Sequence, residues 1–228
     1  MLMSTTMARR RPDARRMPVT PQDRRDALII AAERVFLRHG YRATTMDQIA
    51  STAGISKRTL YQLVRSKEQL FTDLLARRQK AFDFKVETVD RPIDAVLFDM
   101  LTGWADHILS AKSIALTRVI MADYLHGKTL SRLLNRASEK PCRDALIAYL
   151  TGAAARGLLS IDDPELATQM LFGMTLGGIH VKILLGLAKP PRKAELDQRV
   201  HAAVALFLRG VTGSDRPAAH SPDNSRRR

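Results

Sequence analysis

The chain of 228 residues carries a formal net charge of +14, with 45% hydrophobic but only 5% aromatic residues. This length and composition suit one large or two modest domains with an aliphatic core, and a single thiol, Cys142, excludes an intrachain disulfide and points to a reducing compartment. Residues 1–70 hold 14 Lys and Arg against 6 Asp and Glu, whereas residues 71–211 hold 19 against 15, so the positive field is densest toward the N-terminus, as a polyanion-binding end requires.

Residues 1–23 have no sustained apolar period and carry Arg9-Arg10-Arg11 and Arg15-Arg16 among Pro12, Pro18 and Pro21, so they read as a flexible basic arm without a secretory apolar stretch. Leu28, Ala32, Val35 and Phe36 then share one face of a first helix, which His39-Gly40 stops. Thr45-Met46-Asp47-Gln48 is a capping box for a second helix ending near Ala53-Gly54, with Ile49 and Ala50 facing the core. Ser56 caps a third, at about 57–63, with Ile55 and Leu60 as its hydrophobic staple. Ser66-Lys67-Glu68-Gln69 is a further capping box, and its helix is expected to reach about Glu87.

From Pro92, the residues Ile93, Val96, Leu97, Met100, Leu101, Trp104, Ile108 and Leu109 keep to one helical stripe. Further helices are expected at about 113–126, at 129–156 with a kink or division at Pro141, at 163–187 after Asp163-Pro164, and at 194–210 after Pro190-Pro191. The last shows Leu196, Val200, Val204, Phe207 and Leu208 on one face. The longest apolar run, Leu166 to Leu187, is broken by Gln169, His180 and Lys182; a membrane span needs about 20 predominantly apolar residues, so this reads as a buried helix. Residues 212–228 read as a disordered tail. No strand or repeat is legible, and the fold class is all-α.

Two short helices joined by a glycine-containing turn are what a helix-turn-helix needs. The segment at about 57–63 has only to cross a major groove, so two turns suffice. Its first turn sets Lys57, Arg58 and Thr59 beside unpaired backbone N–H groups and the positive end of the helix dipole, which both favour phosphate; the side chains reach phosphates or base edges. Ser66-Lys67 supplies a second anion-friendly helix start.

The stretch GYRATTMDQIASTAGISKRTLYQLVRSKEQLF, residues 40–71, combines Gly-Tyr, Thr-Thr, Ile-Ala, Ala-Gly-Ile-Ser, Thr-Leu-Tyr and Ser-Lys-Glu. With these motifs residues 24–71 strongly resemble the DNA-binding domain of the TetR/AcrR family of bacterial transcriptional regulators. The segments DDPELATQMLFGMTLGGIHVKILLG and HAAVALFLRGV resemble the effector-binding and dimerisation half of AcrR- or AefR-like members. The resemblance implies phosphate contacts from Thr45, Tyr61 and Lys67, phosphate and base contacts from Ser56, Lys57, Arg58 and Thr59, and base reading by Gln62. Helix capping alone also accounts for Thr45 and Ser66, and a core-edge position for Tyr61. Two positions depart from the pattern: Leu63 replaces the usual His or Tyr, and Val64 replaces the commoner Phe.

Residues 24–70 are too few to bury much core alone, so they must lean on the helix after Ser66, which also joins them to a body at 71–211. A homodimer is expected, because two-fold symmetry doubles the contacts on a near-palindromic double-stranded operator. The helices at about 163–187 and 194–210 are the expected four-helix dimer bundle, with Gly173, Gly177, Ile183, Val204 and Leu208 in the interface; intrachain packing of the same helices is the alternative. A small hydrophobic or amphipathic effector is expected in a cavity among the helices of 92–156, lined by Trp104, His107, Met121, Tyr124 and Phe172, with plain core packing the competing account.

The sequence has no Gly-x-Gly-x-x-Gly, P-loop or His-Glu-x-x-His, and His39, His107, His126, His180, His201 and His220 are scattered. No catalytic residue, cofactor, metal or membrane partner is therefore expected, and the location is expected to be cytoplasmic. The rival readings are a basic helical protein that binds nucleic acid regardless of sequence and, behind it, a helical enzyme or metal-binding protein.

Overall fold

The computed structural model describes residues 20–81, 88 and 90–212, and its described elements are all helical. Most of the expected basic arm, the end of the helix opened at Ser66 and all but the first residue of the expected tail lie outside the described residues.

Helix α1 (Pro21–Ala43) begins inside the expected arm. Thr20 Oγ1 accepts from Asp23 N at 3.1 Å, and the Asp23 carboxylate accepts from Thr20 N at 2.9 Å, so Thr20-Pro21-Gln22-Asp23 is itself a capping box. Gly40 (φ 77°, ψ 168°) interrupts the helix where a stop was expected, in a backbone region open essentially to glycine alone. Helices α2 (Met46–Ala53) and α3 (Lys57–Leu63) follow as expected, joined through left-handed Gly54 (φ 67°, ψ 29°). Helix α4 (Lys67–Ala81) starts at Ser66, whose Oγ accepts from Gln69 N; the return arm of the expected capping box instead reaches Arg65 N, one residue earlier.

The larger part comprises α5 (Ile93–Leu109), α6 (Ala111–Asp123) with a 3₁₀ turn at Tyr124–His126, α7 (Thr129–Leu134), α8 (Lys140–Ala155), α9 (Pro164–Phe172), α10 (Gly178–Leu184) and α11 (Lys193–Thr212). The irregularity expected at Pro141 falls just before it, as the π-helical segment Asn135–Glu139. Pro141 has no N–H for the Ala137 carbonyl and its ring crowds that carbonyl, so the helix widens upstream. A second π segment, Gly173–Gly177, joins α9 to α10.

Two apolar clusters organise these helices. The first joins Leu28, Val35 and Phe36 of α1, Ile49 of α2, Leu60 of α3 and Leu70, Phe71 and Leu74 of α4, as the lean on the helix after Ser66 requires. It also takes in Leu116 and Ile120 of α6 and Leu130 of α7, which bind the N-terminal helices directly to the rest of the chain. The second gathers Val96, Leu97, Leu101 and Trp104 of α5, Leu146 and Leu150 of α8, Leu171 of α9 and Val200, Val204 and Phe207 of α11. Each large apolar side chain fully buried in this way contributes about 1.5–3 kcal/mol relative to exposure.

Candidate nucleic-acid interface and internal cavity

The short helix α3 is held from behind and bare in front. Leu60 is fully buried, Ile55 packs beside it and Val64, although smaller than Phe, is buried too. Leu63 packs apolar against the same cluster, and its carbonyl accepts from Arg25 Nη1 at 3.3 Å; Arg25 also pairs with Asp73 at 2.7 Å, so α1 grips both α3 and α4.

Ser56 Oγ accepts from Thr59 N at 3.1 Å and lies 2.9 Å from Thr59 Oγ1, which spends these two hydroxyls partly on each other. Ser56, Lys57 and Arg58 are nevertheless exposed. Lys57 Nζ meets Asp47 of α2 at 2.9 Å, both largely in solvent, and this hydrogen bond raises the lysine pKa. Arg58 and Gln62 are exposed, and neither has a partner among the described residues. Tyr61 stands beside them, half-exposed. Thr45 caps α2, its Oγ1 accepting from Gln48 N while Gln48 Oε1 accepts from Thr45 N at 2.8 Å. Arg58, Tyr61 and Gln62 thus share one exposed surface with Thr45 at its margin, where a rigid apolar back presents a polar front.

Lys67 differs. Its ammonium donates to the carbonyls of Tyr41 (2.7 Å), Thr44 (2.9 Å) and Arg42 (3.2 Å), and sits 4.6 Å from the centre of the Tyr41 ring. Three protons meet three acceptors, so no donor is left over for an outside anion. Burial lowers the Lys67 pKa, and burial with the Glu68 and Asp123 carboxylates pushes the Tyr41 phenol up to about 12. The lysine fastens the start of α4 to the chain between α1 and α2.

An internal cavity of about 240 Å³ opens among α4 to α10. Trp104, His107 and Phe172 line it as expected, the Trp104 and Phe172 rings lying 4.5 Å apart. Met121 and Tyr124 do not line it; both are about half-exposed on the outside of α6 and the turn after it. Residues not anticipated complete the wall: Leu75 and Arg78 from α4, Arg143 from α8, Thr168 from α9 and His180 from α10. Burial holds His107 and His180 toward their neutral forms, while burial raises and Arg143 lowers the Glu139 pKa, with a net rise. Arg78 donates to Glu33 of α1 and to Ser113 of α6, each at 2.8 Å. The wall of the cavity is therefore hydrogen-bonded directly to the N-terminal helices.

Ile183 and Val204, expected in a dimer interface, are 2% and 3% exposed and belong to the chain's own core, with Leu208 packed against it. The exposed apolar face of the same helices carries Leu166, Met170, Val181, Leu185 and Leu206 instead, and Leu166, Met170, Gly173, Leu206 and Gly210 line a groove between α9 and α11. Gly177 is half-buried. Among the described residues no helix is long and apolar enough to cross a membrane, and no group of three or more His, Cys, Asp or Glu could hold a metal ion.

Comparison with known proteins agrees with this geometry. Residues 28–74 match the family model described as "Bacterial regulatory proteins, tetR family", and residues 95–210, half of the chain, match "AefR-like transcriptional repressor, C-terminal domain". The DNA-binding transcriptional repressor TetR of Mycobacteroides abscessus is 28% identical over 167 residues, 69% of this chain and 85% of that protein. The HTH-type transcriptional activator FasR of Mycolicibacterium smegmatis is 50% identical over 58 residues, 25% of this chain and 26% of its own length. The solved structure titled "Flavonoid-responsive Regulator FrrA" superposes with a TM-score of 0.73 at 29% identity, covering 83% of this chain and 97% of that one.

Proposed function

The chain belongs to the TetR family of bacterial transcriptional regulators, and from that membership we propose that it is a cytoplasmic, ligand-responsive repressor that binds a near-palindromic operator as a homodimer and leaves it when a small apolar or amphipathic effector fills the cavity. The observation that carries the reading is the surface of α3, where Arg58 and Gln62 project without partners from a helix whose back is locked by Leu60. In this reading Arg58, Gln62 and Thr59 reach base edges and phosphates, Lys57 exchanges Asp47 for a phosphate, and Ser56, Tyr61 and Thr45 hold the backbone of the duplex. Lys67 acts behind this surface, setting the angle between α1, α2 and α4.

Helix α4 supports the release step. It runs from Ser66, next to the reading surface, to Arg78 in the cavity wall. An effector that binds more tightly with α4 displaced shifts the population toward that state, and two α3 helices one DNA turn apart, about 34 Å, lose their register. A differential affinity of about 1–3 kcal/mol gives a roughly 5–150-fold switch.

Replacing Arg58 or Gln62 by Ala is expected to cost about 1–3 kcal/mol on the operator, concentrated at one base position, with little change on random DNA. Binding to a set of single-base operator variants checks this; an equal loss on every sequence contradicts base reading.

The groove between α9 and α11 supports the dimer, because an apolar face bearing Leu166, Met170 and Leu206 asks to be covered. Leu206→Glu is expected to give a folded monomer at micromolar concentration and to lose operator affinity. Sedimentation that finds the variant still dimeric, or a wild-type monomer that binds operator tightly, contradicts this interface.

A further inference from the structure

We infer that the cavity recognises a compact acid, an apolar body carrying one carboxylate, through Arg143, Thr168 and His180. The inference rests on the reading of this cavity as the effector site and gives that effector a chemistry. Three buried polar atoms have no hydrogen-bond partner and belong to residues that line this one cavity: Arg143 Nε, Thr168 Oγ1 and His180 Nε2. About nine in ten buried polar groups in folded proteins are paired, so three such atoms around one space indicate partners that a ligand brings.

The three groups favour an anion. A guanidinium only donates and does not lose its charge at physiological pH, so Arg143 calls for an acceptor, best a planar one with two oxygens. The other arginine of the wall, Arg78, already spends its hydrogen bonds on Glu33 and Ser113, whereas Arg143 donates none among the described residues. Glu139, the carboxylate nearest Arg143 along the helix, acts on it through space without a hydrogen bond, and burial pushes the Glu139 pKa up. Thr168, only 1% exposed, has a hydroxyl to donate, and neutral His180 donates from Nε2 in one of its tautomers. The remaining wall, with Trp104, Phe172 and Leu116, is apolar and suits the body of the ligand. At about 240 Å³ the cavity falls below the roughly 300–1,000 Å³ of drug-sized sites, which favours a single ring or a medium chain.

The test pairs each acid with its neutral amide: octanoate with octanamide, and 4-cyclohexylbutanoate with 4-cyclohexylbutanamide. Binding to the full-length protein is measured by calorimetry and by the emission of Trp104, the one tryptophan of the chain. In at least one pair the acid is expected to bind at least tenfold more tightly than the amide. Arg143→Gln is expected to erase that preference, Arg143→Lys to restore part of it, and neither to lower the thermal midpoint of the unliganded protein, because Arg143 donates no hydrogen bond there. Amides that bind as tightly as the acids, or a preference that survives Arg143→Gln, overturn the proposal while leaving the effector reading intact if the bound ligand still releases operator. Failure of both pairs to bind a protein that holds its operator overturns the acid without touching DNA recognition.

Discussion

Arg78→Met is expected to lower the thermal midpoint by about 10 °C and to disconnect the cavity from the DNA-reading end. Arg78 and Glu33 meet at 2.8 Å with side chains only 16% and 14% exposed, and Ser113 takes a second guanidinium nitrogen. Removing one partner of such a buried pair costs about 3–5 kcal/mol, because the other charge is left without compensation. At about 2–4 °C per kcal/mol for a chain of this size, the shift is easily measured. The double variant Arg78→Met with Glu33→Met should recover most of the loss, since the stranded carboxylate goes with it. On the proposed mechanism, the single variant still binds effector but no longer weakens its grip on operator when it does. An unchanged midpoint, or full release by effector, contradicts the role given to this link.

The second large effect concerns Lys67. With three carbonyls as partners, Lys67→Met should cost about 2–3 kcal/mol of stability, in the range for hydrogen bonds from a charged donor. It should also weaken operator binding, because the connection between α1 and α2 carries Thr45 and orients the reading helix. The salt dependence separates this role from the phosphate contact that family resemblance implies. A lost phosphate contact reduces the slope of log K against log salt by about 0.9, whereas a lost internal clamp leaves the slope unchanged. The account expects the unchanged slope, and a reduction near 0.9 would assign Lys67 to the DNA instead.

Local rules made the N-terminal part legible. Thr45, Ser56 and Asp163 cap their helices through the side-chain bonds their spacing implied, and Gly40 and Gly54 take positive φ where stops were expected. The capping box at Thr20 was equally available, but its acidic partner is Asp instead of Glu, and the basic residues before it drew the boundary too far along. Tertiary partners were not legible, because nothing in the spacing of Glu33, Arg78 and Ser113 announces that three helices meet there. The cavity shows the same limit: aromatic residues on expected helices gave Trp104, His107 and Phe172, while Arg143, Thr168 and His180 converge only after folding. On α11 an apolar stripe marks a buried face without saying whose core it enters, so Val204 was assigned to a partner when Leu206, two residues on, is the exposed one.

The proposed base reading by paired α3 helices is tested most directly by selecting bound fragments from randomised duplex DNA with the full-length protein, in parallel with Arg58→Ala. The account predicts that wild type enriches a near-palindrome with half-sites about one helical turn apart, and that the variant relaxes one symmetric position in each half-site. Recovery of DNA without any common sequence, at affinities set by salt alone, would contradict it.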